Sequence, residues 1–219
     1  MILMLSEKEV AKKLVDINAI KLSPDQPFKW ASGRYSPIYC DNRKILSFPE
    51  FRKRIIHTFC HKAGMMPNYD KIAGVATAGI AHGALMAAEQ DKPFIYVRSS
   101  AKAHGAKNQI EGHWNPTDNC LVIEDLISTG GSSLKAVEVL RQAGMKVAGA
   151  MAIFTYGFDE AAKSFEEAQV PLITLSNYHS LLQVMEDSGN MTSHQLRSLG
   201  QWREDPIKWS ERYESKQSA

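Results

Sequence analysis

Apolar runs alternate with segments of helical periodicity from Tyr69 to Ser188. The predicted strands cover residues 71–75, 94–97, 121–123, 147–155 and 172–175. The predicted helices cover about 80–90, 134–143, 158–167 and 178–188. Strands that alternate with helices are typical of a parallel sheet with helices on both faces. Ligands in such folds bind at the carboxyl ends of the strands, so the loops after the strands are the first places to search for a site.

Size and composition favour one soluble domain over residues 1–219. The 44% hydrophobic and 23% charged residues are ordinary for a globular protein. A net charge of +2 is too small to indicate a nucleic-acid or membrane partner, and neither is expected. No apolar run approaches 18 residues. The three cysteines are few and widely spaced, which indicates a reduced, cytoplasmic setting without a disulfide framework or zinc site.

The regions outside this alternation are predicted as follows. Residues 6–18 and 49–62 form amphipathic helices, the first with Ser6 and Glu9 as a capping box. Short extended pieces cover 19–22 and 28–39, and residues 99–114 form a long loop. The helix at 178–188 is the last one, and the polar tail from Gly200 packs in part through its tryptophans.

The segment 120–133 combines an apolar strand, two acids, a loop of small residues and a helix. Backbone N–H groups of such a loop at a helix N-terminus bind anions. Glu124 and Asp125 can accept hydrogen bonds from vicinal ribose hydroxyls or hold the waters of a Mg²⁺ ion. A tight turn capped by Ser and Thr is the alternative for the loop by itself. The preceding strand and acid pair favour a ribose phosphate site.

Residues 122–132 resemble the phosphoribosyl-diphosphate (PRPP) fingerprint of the type I phosphoribosyltransferases. The resemblance implies an α/β fold with a central, mainly parallel sheet flanked by helices and a small N-terminal hood formed by about residues 1–45. It also implies that Glu124 and Asp125 bind the ribose 2′- and 3′-hydroxyls. The implied 5′-phosphate ligands are Ser128, Thr129, Gly130, Gly131 and Ser132.

The loop that follows strand 71–75 is also rich in small residues. Its residues are suited equally to anion binding through backbone N–H groups and to close packing of a strand on a helix. In the resembling family this position holds the pyrophosphate loop. The residues implied for that role are Ala76, Thr77, Ala78 and Gly79.

Residues 98–107 concentrate four groups that can be cationic. A solvated basic loop is the ordinary interpretation, although a long loop without structure is often functional. The segment resembles the mobile loop of the orotate phosphoribosyltransferase branch, in which Arg98, Lys102, His104 and Gly105 align. The resemblance implies that Arg98, Lys102 and His104 are catalytic and neutralise the departing pyrophosphate, with His104 able to donate a proton. Ser99 replaces a lysine that many members carry.

The turn-rich segment 28–43 resembles the orotate-binding segment of the same branch. Its aromatic and arginine residues suit the pocket of a planar acid, but also an ordinary hairpin. Ala31 stands where many members have a lysine, and Tyr156 follows a strand where some members have an arginine. The residues implied for orotate binding are Ser32, Gly33, Arg34, Ile38, Tyr39 and Ser128.

Together these resemblances imply transfer of the phosphoribosyl group from PRPP to orotate. They imply Mg²⁺ held through PRPP and water rather than by direct protein ligands, and a homodimer with active sites at its interface. A purine phosphoribosyltransferase and a non-catalytic PRPP-sensing regulator are the alternatives. The segment around Ser32 argues against purines, and the Lys/His loop argues against a regulator, because sensing requires no leaving-group chemistry.

Overall fold

The computed structural model describes residues 3–30, 33–100 and 109–217. Helix α1 (Glu7–Asp16) begins directly after Ser6. The Ser6 hydroxyl accepts a hydrogen bond from the Glu9 N–H, and the Glu9 carboxylate accepts one from the Ser6 N–H, so the predicted capping box is confirmed. A short β2–β3 hairpin is nested between the paired strands β1 and β4. The elements of this part are α1 (Glu7–Asp16), β1 (Ile20–Leu22), β2 (Phe28–Lys29), β3 (Tyr35–Ser36), β4 (Ile38–Cys40), a 3-10 helix (Asn42–Ser47) and α2 (Pro49–Ala63).

A six-stranded sheet follows, with neighbouring strands in the order β10-β9-β8-β5-β6-β7. All neighbours are parallel except β6 and β7, which are antiparallel. The predicted mainly parallel sheet is therefore confirmed. Its strands are β5 (Lys71–Val75), β6 (Phe94–Val97), β7 (Ile110–Glu111), β8 (Asn119–Ile127), β9 (Lys146–Thr155) and β10 (Leu172–Asn177).

Helices cover both faces of the sheet because side chains alternate along each strand. In β8, Leu121 and Ile123 join the core formed with α1, α2, α3 and α6, whereas Cys120 and Val122 join the core formed with α4 and α5. The remaining helices are α3 (Ala78–Glu89), α4 (Gly131–Gln142), α5 (Asp159–Glu167), α6 (Tyr178–Ser188), α7 (Ser193–Glu204) and α8 (Pro206–Gln217). Within the described ranges, no helix has the length and apolar character needed to cross a bilayer.

Three differences from the sequence predictions change the description of the sheet and of the carboxyl-terminal region. The strand predicted at 121–123 continues through the acid pair to Ile127, because β9 pairs with it as far as Thr155. The predicted loop 99–114 contains β7, which pairs with β6. The helix at 178–188 has its predicted bounds but is not the last, because α7 and α8 follow. These two helices have polar faces, and their Trp202 and Trp209 side chains are buried.

Candidate active site

The acid pair lies near the carboxyl end of β8. The Glu124 side chain is buried, and its Oε2 accepts hydrogen bonds from the hydroxyls of Ser132 and Ser133 at 3.3 and 3.4 Å. The Asp125 backbone N–H donates to Glu124 Oε1 at 3.1 Å. These contacts tie the acid pair to the first turn of α4, so the carboxylates and the loop predicted to bind phosphate form one unit.

Both carboxyl groups of the pair have perturbed acidity. Burial, together with the adjacent Asp125 carboxylate, raises the pKa of Glu124 to about 8. Burial also raises the pKa of Asp125. Two neighbouring carboxylates, one buried and one partly buried, resist simultaneous ionisation, and this opposition raises the pKa of Glu124 most. A ligand that donates hydrogen bonds or brings positive charge to the pair favours its ionised form.

The loop between β8 and α4 has the backbone shape of an anion site. Gly130 is the N-cap of α4 and has a φ of +85°, a left-handed conformation that favours glycine. A Cβ at this position would lie 2.8 Å from the ring of Phe165. The N–H groups in the first turn of a helix have no partners within the helix, and the helix dipole favours negative charge there. The arrangement is therefore suited to a phosphate at the residues predicted to bind it, Ser128, Thr129, Gly130, Gly131 and Ser132.

The predicted pyrophosphate loop, residues 76–79, follows β5 and lies beside the acid pair. The Ala76–Thr77 peptide bond is cis, the Ala76 N–H donates to the Val97 carbonyl at 2.9 Å, and α3 begins at Ala78. A Cβ on Gly79 would collide with the carbonyl oxygen of Ile123 and lie 3.3 Å from the Cα of Glu124. The sequence left ligand approach and close packing equally open for this loop, and at Gly79 the structure shows close packing of α3 on β8.

The predicted catalytic residues are described only in part. Arg98 follows β6, and its Nη1 lies 3.5 Å from the Glu111 carboxylate of β7. The Arg98 N–H donates to the Gln109 carbonyl, and the Arg98 carbonyl accepts from the Gln109 side-chain amide. Arg98 and Gln109, which flank residues 99–108, are therefore held together. Lys102 and His104 lie outside the described residues.

A cavity of about 340 Å³ lies between the β2–β4 region and the carboxyl ends of β8 and β9. Of the residues predicted to bind orotate, Tyr39 and Ser128 line it. Four further residues line it although no sequence motif assigned them to the site: Lys29, Trp30, Cys40 and Leu126. Aromatic residues alternating with a cation at 28–30 were the available signal. The complete lining is Lys29, Trp30, Tyr39, Cys40, Leu126, Ser128 and Tyr156.

The other residues predicted to bind orotate lie elsewhere. Arg34 lines a neighbouring cavity of about 440 Å³, on the side of Trp30 that faces Phe158 and Trp202. Gly33 forms the hairpin turn with a φ of +87°. The Ile38 side chain is buried in the core, and its carbonyl oxygen accepts from the Ser36 hydroxyl at 2.9 Å. Ser32 lies outside the described residues.

The smaller cavity has aromatic walls. The smaller cavity has the indole of Trp30 nearly parallel to the ring of Tyr156, with centroids 6.2 Å apart and an interplanar angle of 20°. Tyr156 takes the place of the arginine that some members of the family carry, and burial raises its pKa well above the ordinary value, so its hydroxyl stays neutral. Flat apolar walls that adjoin Ser128 suit a planar ring held next to a bound ribose phosphate.

The mainly parallel sheet, with an acid pair and a small-residue loop at the carboxyl end of β8, is the arrangement expected of a phosphoribosyl-transferring enzyme. Sequence comparison agrees with this class, because residues 60–188 match the family model described as the phosphoribosyl transferase domain. That match covers more than half of the chain.

Comparison with individual proteins narrows the class. The chain is 50% identical over 207 residues to the orotate phosphoribosyltransferase of Phocaeicola vulgatus, an alignment that covers 93% of this chain and 96% of the relative. The crystal structure of orotate phosphoribosyltransferase from Aeropyrum pernix superposes with a TM-score of 0.72 at 28% identity, covering 84% of this chain and 99% of that one. Leishmania donovani UMP synthase superposes with a TM-score of 0.73 at 30% identity, covering 90% of this chain and 43% of that larger chain. The chain belongs to the phosphoribosyltransferase family, in its orotate phosphoribosyltransferase branch.

Proposed function

We propose that this chain transfers the 5-phosphoribosyl group of PRPP to orotate, forming orotidine 5′-monophosphate (OMP) and pyrophosphate in pyrimidine nucleotide synthesis. The observation that carries the proposal is the position of the aromatic cavity. Its walls include Leu126 and Ser128, which directly follow the acid pair and open the phosphate loop. A planar acceptor in the cavity therefore lies beside the ribose that the acid pair would hold.

The donor half of the reaction uses the unit formed by β8 and α4. Glu124 and Asp125 accept hydrogen bonds from the ribose hydroxyls, and these bonds favour the ionised carboxylates. Residues 128–132 bind the 5′-phosphate through backbone N–H groups and hydroxyls at the start of α4. With both ends of the sugar held, its C1′ atom is directed toward the acceptor cavity, which is the positioning that a displacement at C1′ requires.

The leaving pyrophosphate needs compensation of its negative charge as the C1′–oxygen bond breaks. Arg98, Lys102 and His104 are the proposed cations. In the pyrophosphate loop 76–79 the Ala76 N–H is bonded to the Val97 carbonyl, so the backbone N–H groups proposed for the pyrophosphate are those of residues 77–79. His104 can donate a proton to the pyrophosphate, because the ordinary pKa of histidine is near neutrality. A loop that covers the site excludes water and so protects PRPP from hydrolysis.

A divalent cation fits the oxygen donors of this site. The carboxylates of Glu124 and Asp125 have raised pKa values that an adjacent positive charge would lower, and oxygen atoms are the ligands that Mg²⁺ prefers. Bound through PRPP and water, Mg²⁺ would neutralise charge on the pyrophosphate. We assign no residue as a direct metal ligand.

The proposal also covers the oligomeric state, the location and the partners of the enzyme. We infer a homodimer, with the loop that carries Lys102 acting at the interface, and a cytoplasmic location in which the three free cysteines stay reduced. Neither a nucleic acid nor a membrane is a proposed partner, because the net charge is +2.

A spectrophotometric assay of orotate consumption tests the function. We expect loss of orotate only when PRPP and Mg²⁺ are both present, with adenine, hypoxanthine and xanthine inactive in parallel reactions. Consumption of a purine instead would identify a purine phosphoribosyltransferase. PRPP binding without turnover of any base would identify a PRPP-sensing regulator.

A further inference from the structure

The smaller, aromatic cavity, proposed above for the acceptor and called the acceptor cavity below, is lined by one basic side chain without an assigned role, that of Lys29. Lys29 lies at the end of β2 and lines the cavity opposite the carboxyl ends of β8 and β9. Among the described residues around this cavity, no other side chain carries a positive charge. Arg34, which the family resemblance implies for orotate binding, lines the neighbouring cavity, which shares Trp30 and Ser128 with this one.

A carboxylate acceptor needs such a cation at this place. The cavity walls are aromatic or apolar on one side. On the other side is Leu126, which directly follows the acid pair of buried Glu124 and partly buried Asp125. A buried anion without a partner is unfavourable, and nearby carboxylates repel it. The neutral hydroxyl of Tyr156 cannot compensate the charge. Binding of an anionic ring therefore requires a positive group that reaches into the cavity.

Lys29 is available for this role. Its side chain is exposed, and its ammonium lies 5.6 Å from the centroid of the Tyr35 ring on the paired strand β3. Within the described part of the chain it makes no ion pair. The contact with the Tyr35 ring, which lines the neighbouring cavity, leaves the ammonium charged. Because Lys29 itself lines the smaller cavity, its long and flexible side chain can turn toward an anion bound there.

We propose that Lys29 binds the carboxylate of the acceptor and thereby selects an anionic pyrimidine over a neutral one. This inference rests on the proposed function and assigns to β2 the charge recognition that the absent lysine at Ala31 and the absent arginine near Tyr156 leave open. Lys29 is thus a specificity-determining residue, separate from the groups that hold PRPP.

The affinity ratio of OMP to UMP isolates this contact. The two nucleotides share the phosphate, the ribose and the pyrimidine ring, and differ in the carboxylate. A hydrogen bond to a charged group corresponds to a factor of roughly 10 to 100 in affinity. Calorimetric titration should therefore show that Lys29→Met loses OMP affinity by about that factor while UMP affinity changes little. Lys29→Gln should act similarly, and Lys29→Arg should restore most of the preference.

Lys146→Met is the matched control. Lys146 is exposed at the amino-terminal end of β9, the opposite end of the sheet from the cavity, so its replacement should leave both affinities unchanged. An unchanged OMP/UMP ratio in folded Lys29→Met and Lys29→Gln would overturn the role of Lys29. A loss of the ratio in Arg34→Gln alone would assign the carboxylate to Arg34. Failure of the unmodified enzyme to consume orotate would overturn the proposed function instead, so the two failures are distinguishable.

Discussion

The hydroxyl oxygen of Ser210 accepts a hydrogen bond from the backbone N–H of Tyr35 at 2.9 Å, although 175 residues separate the two in sequence. Ser210 is buried in α8, and the ring centroids of Tyr213, in the same helix, and Tyr35 are 5.0 Å apart. Helix α8 therefore supports β3 and, through the β2–β3 pairing, the strand that carries Lys29. The carboxyl-terminal helix therefore supports the hairpin that forms one wall of the cavity proposed for the acceptor.

Replacing Ser210 by alanine should impair acceptor binding selectively. The change leaves the Tyr35 N–H without its partner, which costs about 1–3 kcal/mol where the group remains buried. We expect the KM for orotate to rise by a factor of roughly 5 to 10 while the KM for PRPP stays within about twofold. Steady-state kinetics with each substrate varied in turn measure the effect.

A second serine in α8 provides the control for this prediction. The hydroxyl of Ser215 is exposed and donates to the Glu211 carbonyl within the helix, so Ser215→Ala should leave both KM values unchanged. Equal increases of the two KM values in Ser210→Ala would indicate a general loss of structure rather than a loosened acceptor hairpin.

Gly79→Ala should destabilise the whole fold because α3 packs directly on β8 at this point. The added Cβ would collide with the Ile123 carbonyl oxygen, a backbone atom that cannot move without disturbing the sheet. Overpacking of this kind costs about 1–3 kcal/mol. Urea unfolding followed by circular dichroism should show a lower midpoint with an unchanged slope.

Gly200→Ala is the matched comparison for that variant. Gly200 lies within α7, and a Cβ there meets no atom within 4 Å. Alanine is favoured over glycine inside a helix by up to about 1 kcal/mol, so this variant should be more stable than the parent. Equal midpoints for the two glycine variants would contradict the packing role of Gly79.

The sheet, and the acid pair followed by a small-residue loop at its edge, were predictable because their signals are local. Apolar strands followed by helices have short-range periodicity, and the acid pair precedes the phosphate loop directly in sequence. Even so, β8 is four residues longer at its carboxyl end than predicted. Glu124 belongs to that extension because it pairs with β9, and a residue on a neighbouring strand cannot be read from the local pattern.

The acceptor cavity and the carboxyl-terminal helices were harder to predict. The cavity is formed by residues of β2, β4, β8 and the end of β9, so its lining depends on tertiary packing. Ile38 illustrates this dependence, because the motif implied a ligand contact whereas the side chain is in the core. The sequences of α7 and α8 are mostly polar, as in a terminal tail without regular structure. How these helices pack is evident only from the structure, in which Trp202 and Trp209 are buried.

Lys102→Ala should slow turnover by orders of magnitude while PRPP binding weakens modestly. The proposed ammonium acts on charge that develops on the leaving pyrophosphate, so its loss affects the transition state more than the bound substrate. Lys107→Ala, in the same basic segment but without an assigned role, is the control. Near-parental kcat in Lys102→Ala would remove Lys102 from the catalytic group.

Glu124→Gln should raise the free energy of unfolding in a pH-dependent way and should weaken binding of the donor PRPP. Because burial raises the pKa of Glu124 from its ordinary 4.5 to about 8, the folded state favours the protonated side chain. The stability that this contributes is fully present below about pH 4.5 and is lost as the pH rises toward 8. Glutamine is neutral throughout, so the variant should gain free energy of unfolding relative to the parent between pH 5 and pH 8.5 in urea titrations without substrate. The same variant lacks the carboxylate for the ribose hydroxyls, so its KM for PRPP should rise by roughly tenfold or more. A stability difference that does not change with pH would show that Glu124 is ionised in the folded protein throughout this range.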